Sequence, residues 1–408
     1  MTAPPAGPGF AEALRAELAA LPADALRSMP TWRRRGRFAR PVRGAGTPGA
    51  GAGAGAGAGR RRALLDLSSN DYLGLSSHPS VVAAAVAATR RHGVGGGSSR
   101  LVAGGGPAHA ELERAFAAFK HAEAAVLLPT GYHANLALLG VLAGPGDLVL
   151  QDKRNHASLL DAGRLCGAAQ RRFPHGRLDR LDALLAAPAR RRVVVTDAVF
   201  SMDGDVADLP GLLEACDRHG AWLVVDEAHA TGVLGPGGSG LAEHQGVSGR
   251  EFATVSTASK ALGGLGGLVS GPRALIDLLT NKARPLIYTT AAPPGVAAAV
   301  HAAVRVVQAE PGRRERLLEI GDRLRAALSA AGWPVAMDPT PIVPLLCGTN
   351  DAALELSGRL RAAGFLAPAI RPPTVAPGTA RVRLSLRCDL RDAEVERLIH
   401  SIGAPNRA

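Results

Sequence analysis

Leu223-Val224-Val225-Asp226-Glu227-Ala228-His229 is the stretch from which the fold can be read. Three consecutive aliphatic residues followed by a carboxylate make the pattern of a parallel strand buried on both faces. Val193-Val194-Val195-Thr196 repeats the pattern upstream and also runs into an acidic residue. In open parallel sheets a ligand sits beyond the carboxyl ends of the strands. Asp226 and His229, three residues apart at such an end, therefore read as ligand groups rather than packing.

Working outward, helical periodicity covers 79–91, 107–120, 134–143, 178–186, 209–219, 272–282, 294–309 and 313–331. Strand-like runs return at Ile342–Leu346 and Val382–Leu386. Short apolar runs alternating with helices define an α/β class. The expected organisation is an N-terminal helix and Gly-Ala-rich linker (1–63), a large domain (64–290) and a smaller C-terminal α/β domain (291–408). Phe10, Leu14, Leu18, Leu21 and Leu26 mark an amphipathic helix over 10–29. The Gly-Ala alternation of 49–59 has almost no side chain to bury and reads as a flexible linker or surface loop.

With 408 residues, 47% hydrophobic and 20% charged, the chain is long enough for two cores and too apolar to be disordered. Its net charge of +12 comes almost entirely from arginine: 43 arginines stand against four lysines. Such charge is compatible with nucleic acid, a membrane surface or phosphorylated coenzymes. Only 3% aromatic content argues against a stacking groove for single strands. The arginine clusters read as solvated faces, so neither nucleic acid nor membrane is expected as a partner. Four scattered cysteines without a C-x-x-C pair indicate neither a zinc ribbon nor a dithiol, and no metal is expected. The lack of a signal-peptide pattern or an unbroken apolar span leads to the expectation of a cytoplasmic protein.

The scarcity of lysine makes Lys260 conspicuous. It follows Thr257-Ala258-Ser259 and precedes Gly263-Gly264-Leu265-Gly266-Gly267, a tight loop of small residues about thirty positions after Asp226. Taken alone it is as easily an exposed loop lysine. Beside a carboxylate, an imidazole and small-residue loops, it fits a Schiff-base role in pyridoxal phosphate binding. A carboxylate keeps the pyridine nitrogen protonated, and a helix N-terminus, here Thr130-Gly131-Tyr132-His133, holds the phosphate. Lys120, Lys153 and Lys282, at helix ends or in a polar loop, read as solvated.

These features sit within nine motifs in order: Ser68–Leu75, Ser99–Gly104, Gly131–Ala137, Asn155–Ala162, Val199–Asp205, Asp226–Gly232, Thr257–Gly264, Leu286–Thr290 and Ile370–Leu386. Together they resemble the α-oxoamine synthase family of fold-type-I pyridoxal phosphate enzymes, from about residue 20 to 400. The resemblance implies a large domain with a mostly parallel central sheet, a smaller C-terminal domain, and a homodimer. It also implies an acyltransferase that condenses an amino acid with an acyl thioester and releases carbon dioxide. The last motif points, within the family, to L-alanine and a pimeloyl thioester carried on coenzyme A or acyl carrier protein. A sibling reaction of glycine with a short acyl-CoA stays open, because one methyl group is worth only about 1–3 kcal/mol in a pocket. More distant is a nucleic-acid-binding protein on an inactive scaffold.

By motif, Lys260 resembles the lysine that holds the cofactor's aldehyde, Asp226 the partner of the pyridine nitrogen, and His229 the donor to the phenolic oxygen. His156 resembles the imidazole stacked on the cofactor and facing the substrate, although alone it reads as a surface histidine. Gly131, Tyr132, Ser201 and Thr257 resemble groups around the cofactor and its phosphate. Thr289 and Thr290 match a segment that reaches the phosphate from a partner subunit. Arg383 and Asn70 match the groups around the amino-acid carboxylate, and Arg371, Thr374 and Arg27 those near the acyl substrate or product. The Gly-Ala tract is an insertion relative to the family, Ala376-Pro377 reverses the usual turn order, and His133 replaces a commonly small residue.

Overall fold

The computed structural model describes residues 9–21, 31–41 and 63–405. Arg27, the Gly-Ala tract and the later part of the helix expected over 10–29 lie outside the described residues. Its earlier part forms Phe10–Ala19, none of whose residues is buried.

By contact density the chain divides into two compact units, the larger spanning Leu67–Leu345 and the described residues from Arg383 onward. Seven strands build its sheet: β1 (Ala124–Leu128), β2 (Leu148–Asp152), β3 (Ala169–Phe173), β4 (Arg192–Asp197), β5 (Trp222–Asp226), β6 (Ala253–Thr257) and β7 (Gly267–Gly271). Their order is β1-β7-β6-β5-β4-β2-β3. All run one way except β7, which is antiparallel to both β1 and β6. The sheet is thus mostly parallel, and its parallel strands carry the continuous apolar runs that burial on both faces demands.

Val126, Val149, Val193, Val195, Val224, Val255 and Val269 form one apolar cluster with Leu138, Leu139 and Leu142 of a helix, α3 below, and with Leu275 and Leu279 of Arg273–Lys282. Burying each such side chain contributes roughly 1.5–3 kcal/mol. Helices α1 (Pro79–His92), α2 (Pro107–Phe119), α3 (Gly131–Leu142) and α5 (Pro294–Ala309) appear where periodicity placed them, whereas α4 (Ala157–Leu165) was not expected. α5 packs on α1 and α2 inside the larger unit, so the division by contacts does not fall at the boundary drawn near residue 290.

The smaller unit draws on both ends of the chain, combining described residues up to Asp66 with Leu346–Val382. A hairpin of Trp32–Arg35 and Phe38–Pro41 turns at Gly36 and pairs antiparallel with Leu64–Asp66. The other edge of Leu64–Asp66 pairs parallel with Phe365–Leu366, on which Asn350–Ala362 packs.

Two glycines shape the active end of the larger sheet. A Cβ on Gly267 would stand 2.3 Å from the Thr130 carbonyl oxygen and 2.7 Å from the Gly131 nitrogen, so only glycine lets β7 start against the N-terminus of α3. Gly263 has φ of +64°, and a Cβ there would meet the Ser76 nitrogen at 2.2 Å. It closes the turn in which Gly263 N donates to the Lys260 carbonyl.

Candidate active site

The carboxyl ends of β4 and β5 place Asp197 beside Asp226 in register. Both carboxylates are buried. Burial raises the Asp226 pKa above its ordinary value; burial together with the Asp226 charge pushes that of Asp197 well up. Asp226 is held by two donors: Asn135 Nδ2 at 2.7 Å and the Ala228 N–H at 3.0 Å. The second Asn135 amide hydrogen goes to Ser158 Oγ at 2.8 Å, leaving the Ser158 hydroxyl to donate to His156 Nδ1 at 2.7 Å. The His156 N–H donates to Asp197 at 2.6 Å, and the ring caps α4. One amide from α3 thereby fixes both a buried carboxylate and the imidazole next to it.

Across the cavity, Lys260 Nζ lies 3.2 Å from His229 Nε2. Burial, then the charge of Arg383, draws the lysine pKa down to about 8. Burial, with the charges of Lys260 and Arg383 behind it, holds His229 well below its usual value, so its ring is neutral. His229 Nδ1 meets the Tyr72 hydroxyl at 2.6 Å. Asn70 Oδ1 lies 3.2 Å from the Tyr72 hydroxyl oxygen and accepts from Arg383 Nη2 at 3.4 Å.

Gly131, Tyr132, His156, Ser201, Asp226, His229, Thr257 and Lys260, all singled out in the sequence, line one cavity of about 220 Å³. Thr130 Oγ1 caps α3 by accepting from the His133 N–H, and His133 Nδ1 bonds the same oxygen. Tyr132 donates its hydroxyl to Asp161.

Thr289 and Thr290 follow the short helix Arg284–Ile287 and are not among the cavity's lining residues. In the smaller unit, Thr374 N donates to the Arg371 carbonyl after the cis Pro372-Pro373 bond. One reading is corrected: Lys120 is buried, its ammonium donating to the Ser239 carbonyl, because the chain folds over the end of α2. Asn135, Ser158, Asp197 and Tyr72 were not singled out. Asn135 and Asp197 had a signal: a polar residue among the apolar positions of α3, and an acid at the end of β4 matching Asp226.

The turn carrying Ser201 is anchored by His175, whose nitrogens meet Asp152 at 3.0 Å and Asp205 at 2.5 Å. Burial opposes its protonation, but the two carboxylates prevail and raise its pKa from 6.5 to about 9. The clamp stabilises the fold fully below about pH 6.5 and is lost as pH rises through about 9. His175→Gln should lower stability near neutrality by about 1.5–3 kcal/mol. Melting curves of the two proteins should converge above pH 9, and a constant gap would remove the clamp's role.

A mostly parallel sheet with a lysine, two carboxylates and two imidazoles beyond its strand ends defines a fold-type-I pyridoxal-phosphate-dependent transferase. The family model for aminotransferase class I and II matches residues 62–402. The 8-amino-7-oxononanoate synthase of Anaeromyxobacter dehalogenans strain 2CP-C is 52% identical over 336 residues, covering 82% of this chain and 85% of that one. That of Stutzerimonas stutzeri strain A1501 is 47% identical over 340 residues, covering 83% and 87%. Among solved structures, Sphingomonas wittichii serine palmitoyltransferase superposes with a TM-score of 0.85 at 29% identity, covering 96% of each chain. The Francisella tularensis 8-amino-7-oxononanoate synthase gives 0.74 at 27%, covering 83% and 96%. The chain belongs to the 8-amino-7-oxononanoate synthase family, the pyridoxal-phosphate-dependent acyltransferases of biotin biosynthesis.

Pyridoxal phosphate is its cofactor, and the residues present fit that group. Asp226 is a buried carboxylate suited to a protonated ring nitrogen, and Lys260 is the one lysine lining the cavity. At Gly131 a Cβ would stand 3.3 Å from the Thr257 side chain, so bare backbone is presented where a phosphate would be held.

Proposed function

We propose that the chain condenses L-alanine with a pimeloyl thioester, carried on coenzyme A or acyl carrier protein, to give 8-amino-7-oxononanoate, carbon dioxide and the free thiol. The observation that carries this reading is Lys260 in one cavity with Asp226, His156 and His229. When bound, pyridoxal phosphate supplies an electron sink for the pair left at the amino acid's α-carbon. Asp226 holds a proton on the ring nitrogen. Lys260 Nζ, with its pKa near 8, takes the α-proton and later returns one to the product. His156 covers one face of the site, and His229 donates to the phenolic oxygen. Gly131, Tyr132, Ser201 and Thr257 surround the cofactor and its phosphate.

Arg383 and Asn70 receive the alanine carboxylate. In support, Arg383 Nε is buried and bonds to no group of the described residues, which leaves a donor for a carboxylate oxygen. Arg383→Lys loses the planar fork and should raise the KM for alanine roughly 10- to 100-fold. An unchanged KM would move the carboxylate elsewhere.

Arg371, Thr374 and Arg27 are assigned to the acyl substrate on the strength of the motifs. Thr289 and Thr290 are assigned to the phosphate of a second subunit's site in a homodimer. In support, Val94, Val102 and Tyr288 are 81%, 80% and 71% exposed, apolar surface that a partner would cover. No helix among the described residues is long and apolar enough to cross a membrane, which supports a cytoplasmic setting. The test offers alanine or glycine with pimeloyl, acetyl or succinyl thioesters and measures thiol release, alongside complementation of a biotin auxotroph. Preference for alanine with pimeloyl supports the reading. Failure to complement together with preference for glycine overturns it.

A further inference from the structure

Tyr72 is wholly buried between the groups proposed to hold the amino acid and those proposed to hold the cofactor. Its phenol carries one hydrogen, and two acceptors are within reach: His229 Nδ1 at 2.6 Å and Asn70 Oδ1 at 3.2 Å. The Asn70 oxygen already receives Arg383 Nη2, and the charge of that guanidinium also acts on the phenol. The acceptor most in need of the phenolic hydrogen, and nearest to it, is therefore His229 Nδ1. A neutral imidazole carries one N–H, so a ring accepting at Nδ1 must carry its hydrogen on Nε2, the nitrogen 3.2 Å from Lys260 Nζ.

We infer that Tyr72 is a positioning residue that fixes His229 as the Nε2–H tautomer and ties that choice to the arginine across the site. The inference rests on the reading of His229 as donor to the cofactor's phenolic oxygen and of Arg383 as carboxylate ligand. Without Tyr72 the ring is free to move its hydrogen to Nδ1, and the nitrogen facing Lys260 becomes an acceptor. Burial pushes the Tyr72 pKa up to about 12, against the pull of Arg383, so the phenol keeps its hydrogen across the working pH range.

The first measurement needs neither cofactor nor turnover: solid-state ¹⁵N NMR of histidine-labelled apoprotein prepared above pH 8, where Lys260 is the free amine and can accept from Nε2–H, with the His229 signals assigned by difference from His229→Gln. Protonated Nε2 and bare Nδ1 are expected in the wild type. Tyr72→Phe, which keeps the ring and removes only the hydroxyl, should give a mixture or the opposite tautomer. The second is the pH titration of the visible absorbance of the holoenzyme, whose midpoint should move by about 0.5–1 pH unit in Tyr72→Phe. A wild-type ring protonated at Nδ1, or a tautomer and midpoint both unchanged in Tyr72→Phe, overturns the inference. The apoprotein measurement stands even if the substrates proposed above prove wrong, so the two failures are distinguishable.

Discussion

Lys260→Ala is expected to reduce turnover about 10⁴-fold or more, because it removes the group proposed both to bond the cofactor and to move the α-proton. Among the described residues no other lysine lines the cavity: Lys153 and Lys282 are exposed, and Lys120 is committed to the Ser239 carbonyl. The variant should fold, since Lys260 Nζ hydrogen-bonds His229 and the turn behind it is closed by backbone. Borohydride treatment should leave cofactor covalently attached to the wild type and none attached to the variant. A pH dependence belongs with this test. Attack on an aldehyde needs the free amine, so reconstitution of wild-type apoprotein should accelerate as pH rises through about 8. Appreciable turnover by the variant would remove Lys260 from the chemistry.

Asp226→Asn should follow in size, with a loss of roughly 10²- to 10⁴-fold in kcat, the cost of breaking a buried charge pair of about 3–5 kcal/mol. The shapes are alike, and an asparagine oxygen still accepts from Asn135, but the amide cannot offset a positive charge on the ring nitrogen. The apoprotein should respond in the opposite sense. Asp226 and Asp197 are buried side by side with their pKa values raised, so removing one of two adjacent carboxylates relieves repulsion. The melting temperature of the empty variant should hold or rise, while the stabilisation gained on adding cofactor shrinks. A variant that binds cofactor as tightly as the wild type and turns over at a similar rate would refute the pairing.

Much of this site was legible because its chemistry lies close to features that a linear reading detects. Asp226 ends an unmistakable buried strand with His229 three residues beyond it, and Lys260 stands out in a chain with four lysines. What was not legible depends on distance along the chain. Tyr72 acts on a ring 157 positions away, and Asn135 on a carboxylate 91 positions away; neither has a local pattern that names its partner. Lys120 misled for the same reason: a lysine at the end of an amphipathic helix is ordinarily solvated, and its partner carbonyl lies 119 positions on. The elements themselves followed from periodicity, as at α5 and at β4, whereas which elements share a compact unit did not. α5 leans on α1 and α2, about two hundred positions earlier, and no run of residues announces that.

The smaller unit's sheet sets an order of events during synthesis. Leu64–Asp66 can pair with its hairpin early, but its second edge is filled only by Phe365–Leu366. Closing a loop of some three hundred residues is entropically costly, and contacts of that separation form late. A nascent chain therefore carries one open strand edge until almost all of it has emerged, a window in which the edge can pair with another molecule. Shortening the chain from its C-terminal side past Phe365 makes that window permanent. Because such a truncation also removes Arg383, the cleaner test is Phe365→Asp in the full chain, which withholds the buried partner strand and should lower the yield of soluble protein with every residue of the catalytic cavity still present.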